Sequence, residues 1–194
     1  LTYLNCNSCG LSGEIPNGLY SLTSLTVLFI SSNTYVCGGI NNLTGTISQN
    51  IGNLENLILL GLDSNELTGS IPSNIGNLFN LEGLMLSCNE FSGEIPIQIY
   101  NLTNLSSLSL SGNQLFGEIP QEIGNLINLY SLIIHNNNFT GEIFPKINSD
   151  IGQIWNYGNQ FSGEISGILN FNQNLFELRS FGNQFSGEIP NQID

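Results

Sequence analysis

The chain repeats itself. "SGNQLFGEIPQEIGNL" (residues 111–126) follows "CNEFSGEIPIQIYNL" by one period, and "GNQFSGEI" starts again at Gly158 and at Gly182. Set in register, copies of "LxxLxLxxNxLxGxIP" begin at Leu1, Leu25, Leu57, Leu81, Leu105, Leu129, Ile151 and Leu175, eight copies with a usual spacing of 24 residues. One such unit has too little apolar material to close a core, so identical units must stack and bury one another. Catalysis needs one asymmetric cluster of unlike groups, so the repetition points to scaffolding.

Each column of the repeat has a physical reason. Leu81, Leu84 and Leu86 step so that they point into a common core. The Asn column (Asn33, Asn65, Asn89, Asn113, Asn137, Asn159, Asn183) can satisfy backbone groups at the turn after each strand, with Cys9 in that place in the first copy. The Gly column, from Gly13 to Gly187, fits a tight bend. Two irregularities remain: an insertion at about 34–41 in the second copy, and a sixth copy two residues short near "FPKINSD".

The half-unit "LxGxIPxxIGNLxNL", as in "LTGSIPSNIGNLFNLEGL" from Leu67, resembles the plant-type extracellular leucine-rich repeat of receptor-like kinase ectodomains, receptor-like proteins and polygalacturonase-inhibiting proteins. The resemblance covers essentially the whole chain. It implies an α/β solenoid, a right-handed leucine-rich-repeat superhelix with a parallel β-sheet on its concave face and a second short strand at each "LxGxI". Residues 1–194 are then one domain of eight repeats. Members of the family usually carry a cysteine-bearing N-terminal cap; this chain starts in phase at its first core Leu and shows no caps at either end.

Composition narrows the partners. Two basic residues, Lys146 and Arg179, stand against fifteen acidic ones, for a formal net charge of −13. Nucleic acids and anionic membranes are bound through Lys and Arg, so neither is an expected partner. No apolar run approaches the roughly 20 residues needed to span a bilayer, and the first ten residues lack a basic targeting region. Sequons at Asn42, Asn101, Asn104 and Asn138 mark candidate N-glycosylation sites and favour an extracellular location, secreted or on the ectodomain of a surface protein.

Outward positions on the concave sheet lie between the core leucines. They carry Phe29, Met85, Ile133, His135, Trp155, Tyr157, Arg179 and Phe181, an unusual gathering of aromatic and apolar groups where water would otherwise reach. Trp, Tyr and Arg dominate interface hot spots, so the cluster on the last copies is the expected partner-binding patch. Asn156 stands where other copies place a core aliphatic, which suggests a local irregularity.

A second edge carries an acidic ladder: Glu14, Glu94, Glu118, Glu142, Glu164 and Glu188. At a strand spacing of about 4.8 Å, neighbouring carboxylates repel by roughly 1 kcal/mol per pair in water. Such a column can be simply solvated, can hold a hard cation, or can sit beside a Ser/Thr column (Ser12, Thr44, Thr68, Ser92, Thr140, Ser162, Ser186) that contacts ice or glycan. The cation reading lacks the convergent loop of a dedicated metal site. Of the four cysteines, Cys37 and Cys88 are placed for a disulfide, two copies apart and roughly 10 Å by strand spacing, while Cys6 and Cys9 are expected as free core thiols.

Nothing in the sequence assembles a catalytic site, a cofactor site or a metal site. The single histidine, His135, has no sequence-visible acid partner. Two functions remain. The first is a non-enzymatic extracellular scaffold that recognises a protein, peptide or cell-wall ligand on its concave face. The second is a structural protein whose uncapped ends, through Leu1, Leu4, Leu175, Leu178 and Phe185, stack copies head to tail into a filament.

Overall fold

Every described copy enters through a three-residue strand and leaves through a second one, with a bend between them. The computed structural model describes residues 1–31, 37, 41–143, 146–147, 150–166 and 174–189. Most of the insertion at 34–41 lies outside the described residues, as does Asn33.

The first strands are Tyr3–Asn5, Val27–Phe29, Leu59–Gly61, Gly83–Met85, Ser107–Ser109, Ser131–Ile133, Gln153–Trp155 and Glu177–Arg179. They form one parallel sheet of eight strands whose spatial order is the chain order. Its register pairs equivalent positions of neighbouring copies, as in Leu60 with Leu84 and Leu84 with Leu108. The middle residue of each points inward. Leu60, Leu84, Leu108, Leu132 and Ile154 are fully buried, and burying a side chain of this size contributes roughly 2 kcal/mol.

The far side of each copy turns through a short 3₁₀ helix: Asn17–Ser21, Gln49–Asn53, Ser73–Asn77, Ile97–Asn101 and Gln121–Asn125. Pro16, Pro72, Pro96 and Pro120 stand immediately before four of them, with φ between −58° and −77°. Proline sets that φ in advance and has no N–H to leave unpaired at a helix start. In the second turn Ser48 does the work by accepting from Asn50 N–H at 3.2 Å.

Asparagine side chains stitch the copies together. Asn89 Nδ2 donates to Leu62 O of the preceding copy (2.9 Å) and to Leu86 O and Ser87 O of its own (both 3.2 Å), while its Oδ1 accepts from Leu67 N–H at 3.1 Å. Asn65, Asn113, Asn137, Asn159 and Asn183 repeat the pattern. In the second copy the task falls to Asn41, which donates to Cys6 O and Ser31 O and accepts from Leu11 N–H. Cys9, which the repeat pattern puts in the first copy's asparagine place, is instead joined to Cys6 in a disulfide, so the expectation of two free core thiols is corrected. A three-residue separation with a Cα–Cα distance of 5.3 Å brings the two sulfurs together at the same turn. The second disulfide links Cys37 to Cys88, with 5.0 Å between the Cα atoms.

Asn156 does not disturb the stack. Its N–H donates to Arg179 O in the ordinary ladder, and its Oδ1 accepts from Ser180 Oγ, the equivalent residue of the next copy, at 2.6 Å. A polar pair thus replaces two core aliphatics with the register intact.

The outer strands follow a different register. Their pairs include Thr68 with Glu90, Ser92 with Gln114, Glu118 with Thr140, Glu142 with Ser162 and Glu164 with Ser186. Against the concave sheet this is a stagger of two residues, so Glu14, Glu118, Glu142 and Glu164 each pair with a Thr or Ser of the next copy rather than with the next carboxylate. The expected column of directly opposed charges is corrected accordingly. The carbon stems of Glu14, Glu94, Glu118 and Glu142 lie over Gly45, Gly117, Gly141 and Gly163 of the following copy, closely enough that a Cβ there would collide with them. Those glycines also have φ between 76° and 95°, so the position demands glycine twice over.

Candidate functional site

A groove of about 490 Å³ runs across the strands of the concave sheet, with Phe29, Asp63, Met85, Ile133, His135 and Trp155 among its lining. Its shape starts from small residues. Gly61 has no side chain where Phe29 leans over from the preceding copy, since a Cβ there would strike the Phe29 ring. Gly83 gives way to Leu59 in the same manner. Two consecutive copies thus present backbone where a full repeat would present bulk.

The floor of the N-terminal half is a chain of hydroxyls around one carboxylate. Ser31 Oγ donates to Asp63 Oδ2 at 3.3 Å, and Ser87 N–H donates to Asp63 Oδ1 at 2.9 Å. Ser87 Oγ in turn contacts Ser109 Oγ at 2.7 Å and accepts from Ser111 Oγ at 3.0 Å. Burial is the larger influence on Asp63 and raises its carboxyl from 3.8 to about 6, against the hydrogen bonds from Ser87 and Ser31, which lower it.

Aromatic rings line the C-terminal half. The same column that reads Ser31, Asp63, Ser87, Ser111 continues as His135, Tyr157 and Phe181. The His135 and Tyr157 rings stack with centroids 4.1 Å apart, and Tyr157 and Phe181 at 4.4 Å, nearly parallel in both cases. Arg179 lies over the Trp155 ring, its guanidinium carbon 4.1 Å from the centroid. Glu177 fixes that guanidinium, accepting from Arg179 Nη2 at 2.7 Å and from Nε at 2.9 Å, and accepts from Gln153 Nε2 at 2.8 Å. The Gln153 bond is the largest cause holding the Glu177 carboxyl below the usual range, with Arg179 adding to it. His135 is pushed the other way for a base: burial and then the Arg179 charge lower its pKa, so the ring is neutral at pH 7.

All eight residues expected on the concave face do lie on that sheet or at its strand ends, but they fall into two groups. Phe29, Met85, Ile133, His135 and Trp155 line the groove, whereas Tyr157, Arg179 and Phe181 lie beyond that lining on the last two copies; Phe181 is 68% exposed. Sequence reasoning missed Asp63 as a site residue. The signal was present, because it is the one charge among the outward positions of the first six copies.

Beyond the groove, the sequon residues Asn42, Asn101, Asn104 and Asn138 are exposed. Asn104 is tied down, with Nδ2 donating to Phe79 O at 2.9 Å. The six ladder glutamates are exposed, and Glu118 meets Lys146 at 3.6 Å. At the two ends Leu1 is 68% exposed, while Leu4, Leu175, Leu178 and Phe185 pack partly against the core. Ser111 Oγ, one copy from His135, is engaged with Ser87 rather than with the imidazole. Among the described residues no group of three His, Cys, Asp or Glu is arranged to hold a metal ion, and no helix is long and apolar enough to cross a membrane.

Residues 1–22, 56–78, 80–102 and 104–126 match the family described as Leucine Rich Repeat. No curated protein matches the chain by sequence. Among solved structures, the chain is similar to the ectodomain of the Arabidopsis thaliana membrane receptor kinase GASSHO1/SCHENGEN3, seen in complex with CASPARIAN STRIP INTEGRITY FACTOR 2: TM-score 0.85 and 36% identity, over 98% of this chain and 22% of that one. It is similar to the Arabidopsis receptor kinase HAESA, in complex with the peptide hormone IDA and the co-receptor SERK1, with TM-score 0.82 and 37% identity over 97% of this chain and 30% of that one. A plant ice-binding protein matches with TM-score 0.69 and 28% identity, over 90% of this chain and 62% of that one. The chain therefore spans less than a third of the length of either receptor ectodomain.

Proposed function

This chain is a leucine-rich-repeat protein of the plant extracellular type, and we propose that the groove on its concave sheet binds a linear peptide outside the cell. The observation that carries the reading is the aromatic wall: His135, Tyr157 and Phe181 stacked face to face beside a Trp155 that is covered by Arg179. Rings held in this way present large rigid area at small entropic cost, the property of a hot spot. The similar receptor ectodomains, solved with the partners named above, support protein or peptide recognition as the class of function. Two disulfides suit an oxidising, extracellular setting.

The hydroxyl column of the outer sheet is interrupted by carboxylates at successive register steps, so the ice-binding reading is not extended to it. Selection of linear peptides of about twelve residues, long enough to follow the groove across several strands, tests the proposal. Trp155→Ala should weaken the selected peptides by about tenfold or more, as loss of a hot-spot aromatic does, while Phe79→Ser, on an exposed lateral position, leaves them unchanged. Peptides that ignore Trp155→Ala, or a selection that yields none, would overturn it.

A further inference from the structure

The chain has two cations and both are occupied. Lys146 Nζ donates to Ile119 O at 2.9 Å and meets Glu118 at 3.6 Å; Arg179 is held by Glu177 and lies over Trp155. Asp63 is a largely buried carboxylate in the groove, and its protein partners are neutral: the Ser31 hydroxyl and the Ser87 N–H. His135, the other titratable group lining the groove, belongs to the sixth copy, three strands from Asp63 in the third. With burial raising the Asp63 carboxyl to about 6 against the hydrogen bonds that lower it, the group is ionised at pH 7 with no positive side chain paired to it among the described residues. An ionised carboxylate in a binding groove without a counter-charge is completed by a positive group from outside.

We propose that the bound peptide carries a lysine or arginine whose charge docks on Asp63, with a ring or large apolar side chain on the Trp155 wall fixing its register. This rests on the peptide reading of the groove and adds its specificity. The strand that precedes Asp63 and the strand of Trp155 are four steps apart in the sheet. Four steps of about 4.8 Å make roughly 19 Å, the length of about six extended residues. A peptide lying across the strands therefore meets both anchors when its basic residue and its apolar residue are about six positions apart. The net charge of −13 acts in the same sense, drawing a cationic peptide to the surface before it docks.

The probe is a library of random linear peptides displayed against the full chain with its disulfides intact. The expected result is enrichment of Lys or Arg about six positions from a large apolar residue, and a loss of about ten- to a hundredfold in affinity on Asp63→Asn, as when one partner of a desolvated charge pair is neutralised. Asp63→Asn keeps the shape of the site and the acceptor for Ser87 N–H while turning the oxygen that faces Ser31 into a donor, and its folding is read in parallel by thermal melting. If the selected peptides lack a basic residue, or bind Asp63→Asn equally while Trp155→Ala still abolishes binding, the charge inference falls and the peptide reading stands. If no peptide binds, or binding ignores both substitutions, both fall.

Discussion

Ser31 and Asp63 exchange two hydrogen bonds between adjacent copies: Ser31 Oγ donates to Asp63 Oδ2 at 3.3 Å and accepts from Asp63 N–H at 3.1 Å. The hydroxyl thus orients the carboxylate without neutralising it. Because burial raises the folded carboxyl from 3.8 to about 6, the folded chain keeps a proton through a window in which the unfolded chain has lost it. This group's contribution to stability therefore falls as pH rises from about 4 to about 6 and then levels off. Asp63→Asn removes the contribution, so the variant should equal the native chain near pH 4 and exceed it by about 2–3 kcal/mol at pH 8. Urea denaturation of the two proteins across that range, compared as a difference, checks this; a difference independent of pH would contradict it.

The asparagine ladder gives a second expectation. Asn89→Ala leaves Leu67 N–H without a partner inside a buried turn and takes one donor from Leu62 O, which keeps Asn65 Nδ2. It should cost about 1–3 kcal/mol, the cost of an unsatisfied buried donor. Asn104 makes a superficially similar bond to Phe79 O, but at an exposed site. There water replaces the lost partner, so Asn104→Ala should cost less than about 1 kcal/mol. Equal shifts in the urea midpoint for the two variants would show that burial is not what makes the ladder matter.

Tyr100 occupies the place where other turns carry Gly52, Gly76 or Gly124. Its ring is fully buried and its hydroxyl has no partner among the described residues. Tyr20, in the same place of the first copy, accepts from Ser48 N–H at 3.3 Å. Removing an unpaired buried hydroxyl relieves a desolvation cost, so Tyr100→Phe should stabilise by about 1 kcal/mol, whereas Tyr20→Phe should destabilise by a similar amount. Thermal melting of the pair gives shifts of opposite sign if this is right.

The concave sheet was legible in the sequence because its register repeats with the sequence period: Leu60 meets Leu84 meets Leu108, and every periodic Leu has one meaning. The outer sheet was not, because its two-residue stagger arises from how neighbouring copies lie on one another, and identical words carry no trace of it. The Glu residues read as a column for that reason. Asn41 escaped notice because the insertion moves the second copy's asparagine eight places from its expected position, from 33 to 41. The aromatic half of the site could be read from residue types alone. Asp63 stands out in the sequence as a lone outward charge, but that both cations of the chain are held elsewhere is a fact of distances.

The residue before each ladder asparagine from Asn65 to Asn183 turns left-handed, as does Ser8 before Cys9. Ser8, Ser64, Cys88 and Asn136 have φ of 54° to 57°, and Gly112, Gly158 and Gly182 have φ of 62° to 66° at the same place. For a residue with a Cβ this conformation costs roughly 1–2 kcal/mol, while glycine adopts it freely at the expense of about 0.5–1 kcal/mol of unfolded-chain entropy. Ser64→Gly should therefore stabilise by up to about 1 kcal/mol. Gly112→Ala should do the reverse and more, since its Cβ would stand 3.2 Å from Cys37 Sγ and press on the Cys37–Cys88 disulfide. Under oxidising conditions its loss should exceed that of Gly182→Ala, where a Cβ would meet only the Gly158 backbone at 3.4 Å. Chemical denaturation of the three variants orders them as Ser64→Gly above the native chain, then Gly182→Ala, then Gly112→Ala; a destabilised Ser64→Gly would mean that its hydroxyl, rather than the backbone turn, is what the position requires.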